Sequence, residues 1–254
     1  MGLLADQSRL VLTAIQYFTR LPVPRWTGYS ERQLNDAARY FPLVGILVGL
    51  ITGGAYLLAI SVFPQPLAVL LAMISGVLLT GGFHEDGLAD ACDGFGGGWD
   101  KRQILAIMKD SRIGSYGVLG LVLGLALKFA ALAAVPSARF LGITVAAHAF
   151  SRFMAVSVMA TQHYVRDDDS ARAKPVAQNI SPVGLACAAL FALAPLAWLG
   201  SAGVAGAAGA LALRLAAARY LYRRIGGYTG DCLGAVQQIT EIGFYLALLA
   251  CIST

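Results

Sequence analysis

Tyr40-Phe41-Pro42-Leu43-Val44-Gly45-Ile46-Leu47-Val48-Gly49-Leu50-Ile51-Thr52-Gly53-Gly54-Ala55-Tyr56-Leu57-Leu58-Ala59-Ile60-Ser61-Val62-Phe63 runs for twenty-four residues without one Asp, Glu, Lys or Arg. A bilayer's hydrocarbon core, about 30 Å thick, takes about 20 apolar residues per helical span, so this stretch reads as a membrane-crossing helix. Similar runs follow at 66–83, 116–135, 140–160, 183–199, 203–222 and 232–252. The expectation is an all-α polytopic transmembrane bundle of about seven spans. Ahead of them, over 7–21, Leu10, Val11, Ala14, Ile15 and Phe18 recur at helical spacing. That pattern predicts an amphipathic helix lying in the membrane interface. No small-residue cleavage site of the signal-peptide kind follows it, so it is expected to stay in the mature protein.

Composition points the same way. Hydrophobic residues make up 57% and charged residues 13%, about half the charge of an ordinary soluble domain. No linker or low-complexity tract divides the chain, so residues 1–254 read as one integral membrane domain. Gly45, Gly49 and Gly53 share one helix face; Gly117, Gly120 and Gly124 mark a second, and Gly203, Gly206 and Gly209 a third. Small residues let transmembrane helices approach closely. These stripes mean bundle packing, and they also permit self-association into a homo-oligomer. The four cysteines form no paired spacing, and buried inert thiols are the expectation.

Seven spans with the N-terminus inside would place fourteen Lys and Arg on one side and only Arg139 on the other; Lys128, Arg152, Arg214 and Arg219 fall within spans. That asymmetry predicts a multi-pass protein of the cytoplasmic (inner) membrane with its N-terminus in the cytoplasm. The net charge of +5 needs no nucleic acid to explain it, because orientation and attraction to anionic lipid or phosphate suffice.

His84-Glu85-Asp86-Gly87-Leu88-Ala89-Asp90-Ala91-Cys92-Asp93-Gly94 follows the second run and falls on the cytoplasmic side. It puts four carboxylates into nine residues of a chain that has 14 acidic residues in all. On a helix Asp86, Asp90 and Asp93 share a face. Like charges so placed repel unless a cation neutralises them. Hard carboxylate oxygens suit Mg²⁺, which takes a few of them together with substrate phosphates. The same spacing also fits a solvated acidic helix start, which the helix dipole favours. His84 is a candidate proton relay or a satisfied helix-end histidine.

The remaining candidates lie in the cytoplasmic loops. Lys109 and Arg112, three apart, can point at one anion, or serve as ordinary flanking charge. Arg166 offers another phosphate or carboxylate clamp, whereas Asp167-Asp168-Asp169 beside it reads as a solvated turn. Asp231, Gln238 and Glu241 share one face of the last span. An ionised Glu241 inside an apolar helix is costly and needs a partner: a metal, or an Arg such as Arg152 or Arg214.

These pieces together resemble the cobalamin synthase family, the adenosylcobinamide-GDP ribazoletransferases. The resemblance rests on Phe18-Thr19-Arg20-Leu21-Pro22-Val23-Pro24, Phe41-Pro42-Leu43-Val44-Gly45, the block from Gly81 to Gly94, Met108-Lys109-Asp110-Ser111-Arg112-Ile113-Gly114 and Thr229-Gly230-Asp231-Cys232-Leu233-Gly234-Ala235. It implies a membrane enzyme of the last step of cobalamin assembly. Such an enzyme joins adenosylcobinamide-GDP to α-ribazole or its 5′-phosphate and releases GMP, with Mg²⁺. The Asp-rich block also looks like a variant of the motif of CDP-alcohol phosphotransferases. On these patterns Asp86, Asp90, Asp93 and Asp231 are expected on the metal, with Lys109, Arg112, Arg166 and Glu241 on the substrate. His84 or a carboxylate of the cluster would take the proton. Two rivals share parts of the chemistry: a CDP-alcohol phosphotransferase acting on a lipid, and a cation transporter built around intramembrane Glu241.

Overall fold

A computed structural model describes residues 3–165 and 177–252, which form helices and connecting turns with no β-strand among them. The amphipathic helix α1 (Leu3–Phe18) lies beside the short α2 (Glu31–Ala37), which begins where Ser30 accepts from the Gln33 N–H at 3.1 Å. The Tyr40 hydroxyl donates to Gln7 Oε1 at 2.7 Å and ties α1 to the start of α3 (Phe41–Ile60).

All seven apolar runs fold as helices. After α3 come α4 (Gln65–Thr80), α7 (Ser115–Ala133), α8 (Phe140–Met159), α9 (Pro182–Leu193) continued by a 3-10 turn to Trp198, α10 (Ser201–Ile225) and α11 (Gly230–Ile252). The polar α5 (Phe83–Gly97) and α6 (Lys101–Lys109) stand between α4 and α7. Five helices are long and apolar enough to cross a membrane, six if α4 and α5 count as one bent pair. The expectation of about seven counted α4 and the Pro182–Trp198 piece as spans of their own. With 16 residues, α4 rises only about 24 Å, and the 66–83 run stops at Gly81 and Gly82. The piece Pro182–Trp198 is also too short to qualify by itself.

Hydrogen bonds and close contacts gather helix ends into two groups. At one end Gln65 donates to the Ala133 and Val135 carbonyls and Tyr56 to Ser137, with Leu199 near Gly142. At the other end the Tyr228 N–H donates to the His163 carbonyl, the Tyr228 hydroxyl to the Gln178 carbonyl, and the Gln178 N–H to Asn35 Oδ1.

The glycine stripes are the seams of this bundle. A Cβ on Gly49 would lie 2.5 Å from Val145 Cα, and one on Gly45 would strike the His148 carbonyl, so α3 and α8 meet almost backbone to backbone. Gly117 and Gly120 receive Asp93 and Cys92 of α5, and Gly206 and Gly209 receive Phe244 and Ala247 of α11. All three stripes pack against helices of the same chain.

The turn that positions the polar helix is a pair of glycines. Gly81 and Gly82 have φ +72° and +71°, a region that residues with a Cβ avoid. Across them the chain turns by 89°, and α5 leaves at right angles to α4.

Candidate active site

Asp86 and Asp90 sit one turn apart on α5 and face the same cleft, of about 520 Å³. Glu85 and Ala89 share that wall; Thr80 to Phe83, Arg20, Ser111, Ile113 and Leu121 complete the lining. The opposite side of α5 is anchored by Gly87. A Cβ there would lie 2.9 Å from the Asp231 carbonyl and 3.2 Å from Gly234 Cα, so the glycine lets α11 seat directly behind the carboxylates.

Asp93, next in the series, points elsewhere. It is 8% exposed, and its two oxygens accept from the Gly114 N–H at 2.7 Å and the Gly117 N–H at 2.8 Å. Those are first-turn donors of α7, whose N-cap position is Gly114 and has no side chain to satisfy them. Asp231 belongs to the first turn of α11 and packs its backbone against Gly87, behind the cleft wall. Among the described residues no three His, Cys, Asp or Glu side chains converge as a ready-made metal cage.

The expected phosphate clamps separate as well. Lys109 is exposed at the end of α6. The Arg112 guanidinium folds back on Asp110 at 2.6 Å and holds that carboxyl down at about 2. Arg166 lies outside the described residues. Between Lys109 and Arg112 it is Ser111 that lines the cleft. His84, 4% exposed, has its ring stacked on Phe18 with centroids 5.2 Å apart, and it lines interior cavities with Arg152 and Gln237.

Glu241 is fully buried, and its partner is neither of the arginines expected. Lys128 Nζ of α7 lies 2.7 Å from Oε1, which the Tyr245 hydroxyl also approaches at 3.0 Å. Gln237 Nε2 donates to Oε2 at 2.7 Å, and His148 Nδ1 is 3.4 Å from it. Arg214 binds Ser157 and Thr161 instead, and Arg152 donates to the His148 carbonyl at 3.0 Å. The network runs on: Gln238 Nε2 lies 3.0 Å from Gln237 Oε1 and 3.0 Å from Glu85 Oε1. Glu85 thus belongs both to this interior network and to the cleft wall.

Arg20, Ser111 and Lys128 are the residues that sequence reasoning passed over. For Lys128 a signal was there: a lone cation in an apolar helix needs a carboxylate, and the one acidic residue deep in an apolar run is Glu241.

Comparison with known proteins bears on what this cleft does. The chain matches the family model described as cobalamin-5-phosphate synthase over residues 10–249. A protein named adenosylcobinamide-GDP ribazoletransferase from Shewanella frigidimarina is 46% identical over 248 residues, covering 96% of this chain and 95% of the relative. Proteins of the same name from Shewanella woodyi and Leptothrix cholodnii are each 45% identical, covering 98% of both chains. No solved structure matches the chain.

Proposed function

The chain belongs to the cobalamin-5-phosphate synthase family, and on that premise we propose that it catalyses the final step of cobalamin assembly, as a transferase in the cytoplasmic membrane. The substrates are adenosylcobinamide-GDP and α-ribazole or its 5′-phosphate; the products are adenosylcobalamin or its 5′-phosphate, and GMP. The observation that carries this reading is the family match over residues 10–249, joined to a cleft with room for a phosphate ester that Asp86, Asp90 and Arg20 line together.

The chemistry is phosphodiester exchange. A ribose hydroxyl oxygen bonds to the phosphorus on the cobinamide side of the diphosphate, and the bond from that phosphorus to the bridging oxygen breaks. GMP leaves with the bonding electrons, and the hydroxyl proton passes to a base. Negative charge builds on the phosphoryl oxygens and on the leaving phosphate, and it must be met by fixed positive charge. Carboxylates line the cleft while His84 is packed behind it, so the reading gives the proton to a carboxylate.

Mg²⁺ fits the donor set. Asp86 and Asp90 offer hard oxygens on one wall, and Mg²⁺ is commonly held by one or two carboxylates plus substrate phosphates rather than by an all-protein cage. At the same wall, Glu85 Oε2 is buried and makes no hydrogen bond among the described residues. Asp86 and Asp90 would hold the ion, which when bound neutralises charge on the phosphate oxygens. The surplus of Lys and Arg at the ends of α1, α6 and α10 supports a cytoplasmic N-terminus and cleft.

Purified protein in lipid, given adenosylcobinamide-GDP and α-ribazole 5′-phosphate, is expected to yield GMP and the joined corrinoid only when Mg²⁺ is present. Absence of both products from protein shown to be folded overturns the reading.

A further inference from the structure

We propose that Arg20 is the arm that holds the substrate's diphosphate in the cleft it shares with Asp86 and Asp90, and that Gly81 is the platform that aims it; this rests on the transferase reading above. Arg20 is the sole Lys or Arg among the described residues that line the cleft. Its root is fixed. The Arg20 N–H donates to the Leu79 carbonyl at 2.8 Å, and Thr19 caps the turn by donating to the Ile15 carbonyl at 2.8 Å while accepting from the Leu21 N–H at 3.2 Å. The head of the side chain lies over Gly81. A Cβ on Gly81 would lie 2.7 Å from Arg20 Nε and 3.3 Å from Cζ, so the guanidinium rests against the bare glycine backbone.

The Arg20 guanidinium has donors to spare. Glu85, Asp86 and Asp90 line the cleft with Arg20, yet among the described residues the Arg20 guanidinium makes no hydrogen bond or ion pair. Cation and carboxylates border one space of about 520 Å³, within the range of small-molecule sites. A diphosphate answers both charges. Its oxygens accept a bidentate fork from Arg20 and share a divalent ion with the carboxylates. Lysine would supply the charge without the fork.

The probe is GDP with Mg²⁺, titrated into protein in a maltoside detergent free of phospholipid. Arg20→Ala is expected to weaken GDP binding by about tenfold or more, and Arg20→Lys to recover only part of it, both with unchanged helicity and unfolding temperature. In turnover, the change falls on the KM for adenosylcobinamide-GDP and leaves that for the ribazole substrate unmoved. Undiminished GDP affinity in Arg20→Ala overturns the proposal. So does a variant that binds GDP normally but loses retention on phosphatidylglycerol vesicles, because Arg20 then serves a lipid phosphate. GDP affinity that depends on Arg20, in wild-type protein that joins no corrinoid to ribazole, sinks the transferase reading and leaves the diphosphate arm in place.

Discussion

Asp86 and Asp93 are two turns apart on one helix and carry identical side chains, but their surroundings divide their work. Asp86, with Asp90, opens onto the cleft; Asp93 is closed over by α7 and holds the Gly114 and Gly117 N–H groups. Replacing each by Asn separates the two jobs. Asp86→Asn and Asp90→Asn are expected to cut turnover by about 100-fold or more in protein that still folds, read by turnover beside thermal unfolding. Asp93→Asn keeps the shape but puts an amide where two acceptors are needed, and it is expected to cost about 1–2 kcal/mol of stability, read as a lower unfolding temperature in detergent. Asp93→Asn protein of unchanged stability that has lost turnover would return Asp93 to the metal site. The i, i+4, i+7 spacing was legible in the sequence, but periodicity says which residues share a face and not what covers each turn of that face. The cap on α7 depends on a contact between residues 21 and 24 positions apart.

At the scale of elements, the corner between α4 and α5 decides where the carboxylates go. Gly82 has φ +71° with nothing within 4 Å of a would-be Cβ, whereas at Gly81 the same addition meets the Arg20 guanidinium. Gly82→Ala therefore tests backbone strain alone, and about 1–2 kcal/mol of destabilisation is expected for a left-handed residue with a Cβ. Gly81→Ala carries the same strain and also displaces Arg20, so its GDP affinity should fall where that of Gly82→Ala does not; GDP titration beside thermal unfolding distinguishes them. The helices themselves were written plainly in the apolar runs, and the three glycine stripes named their seams. The right-angle turn was not, because glycine marks freedom and only the packing of α5 on α11 through Gly87 selects the direction. The shortness of α4 follows from the same turn.

For the whole molecule, the interior network joins four helices: Glu85 of α5, Lys128 of α7, His148 and Ser151 of α8, and Gln237, Gln238 and Glu241 of α11. Sequence reasoning found Glu241 and its need for a partner but looked for an arginine or a metal, because which spans are neighbours is a property of the assembled bundle. Removing one member of a buried ion pair leaves the other charge uncompensated, at a cost of about 3–5 kcal/mol, whereas replacing both by neutral groups is often neutral. Lys128→Met and Glu241→Gln are each expected to be strongly destabilising, and the double variant to recover most of the loss, as read by unfolding in detergent. That double variant then answers a question about function. If Glu241 acts through Gln237 and Gln238 to hold Glu85 at the cleft wall, Gln at 241 keeps an acceptor for Gln237, and turnover returns with stability. If Glu241 itself meets the substrate, the double variant is stable and still inactive. Four bonded or ion-paired neighbours already crowd its two oxygens, so recovery of turnover is the expected result.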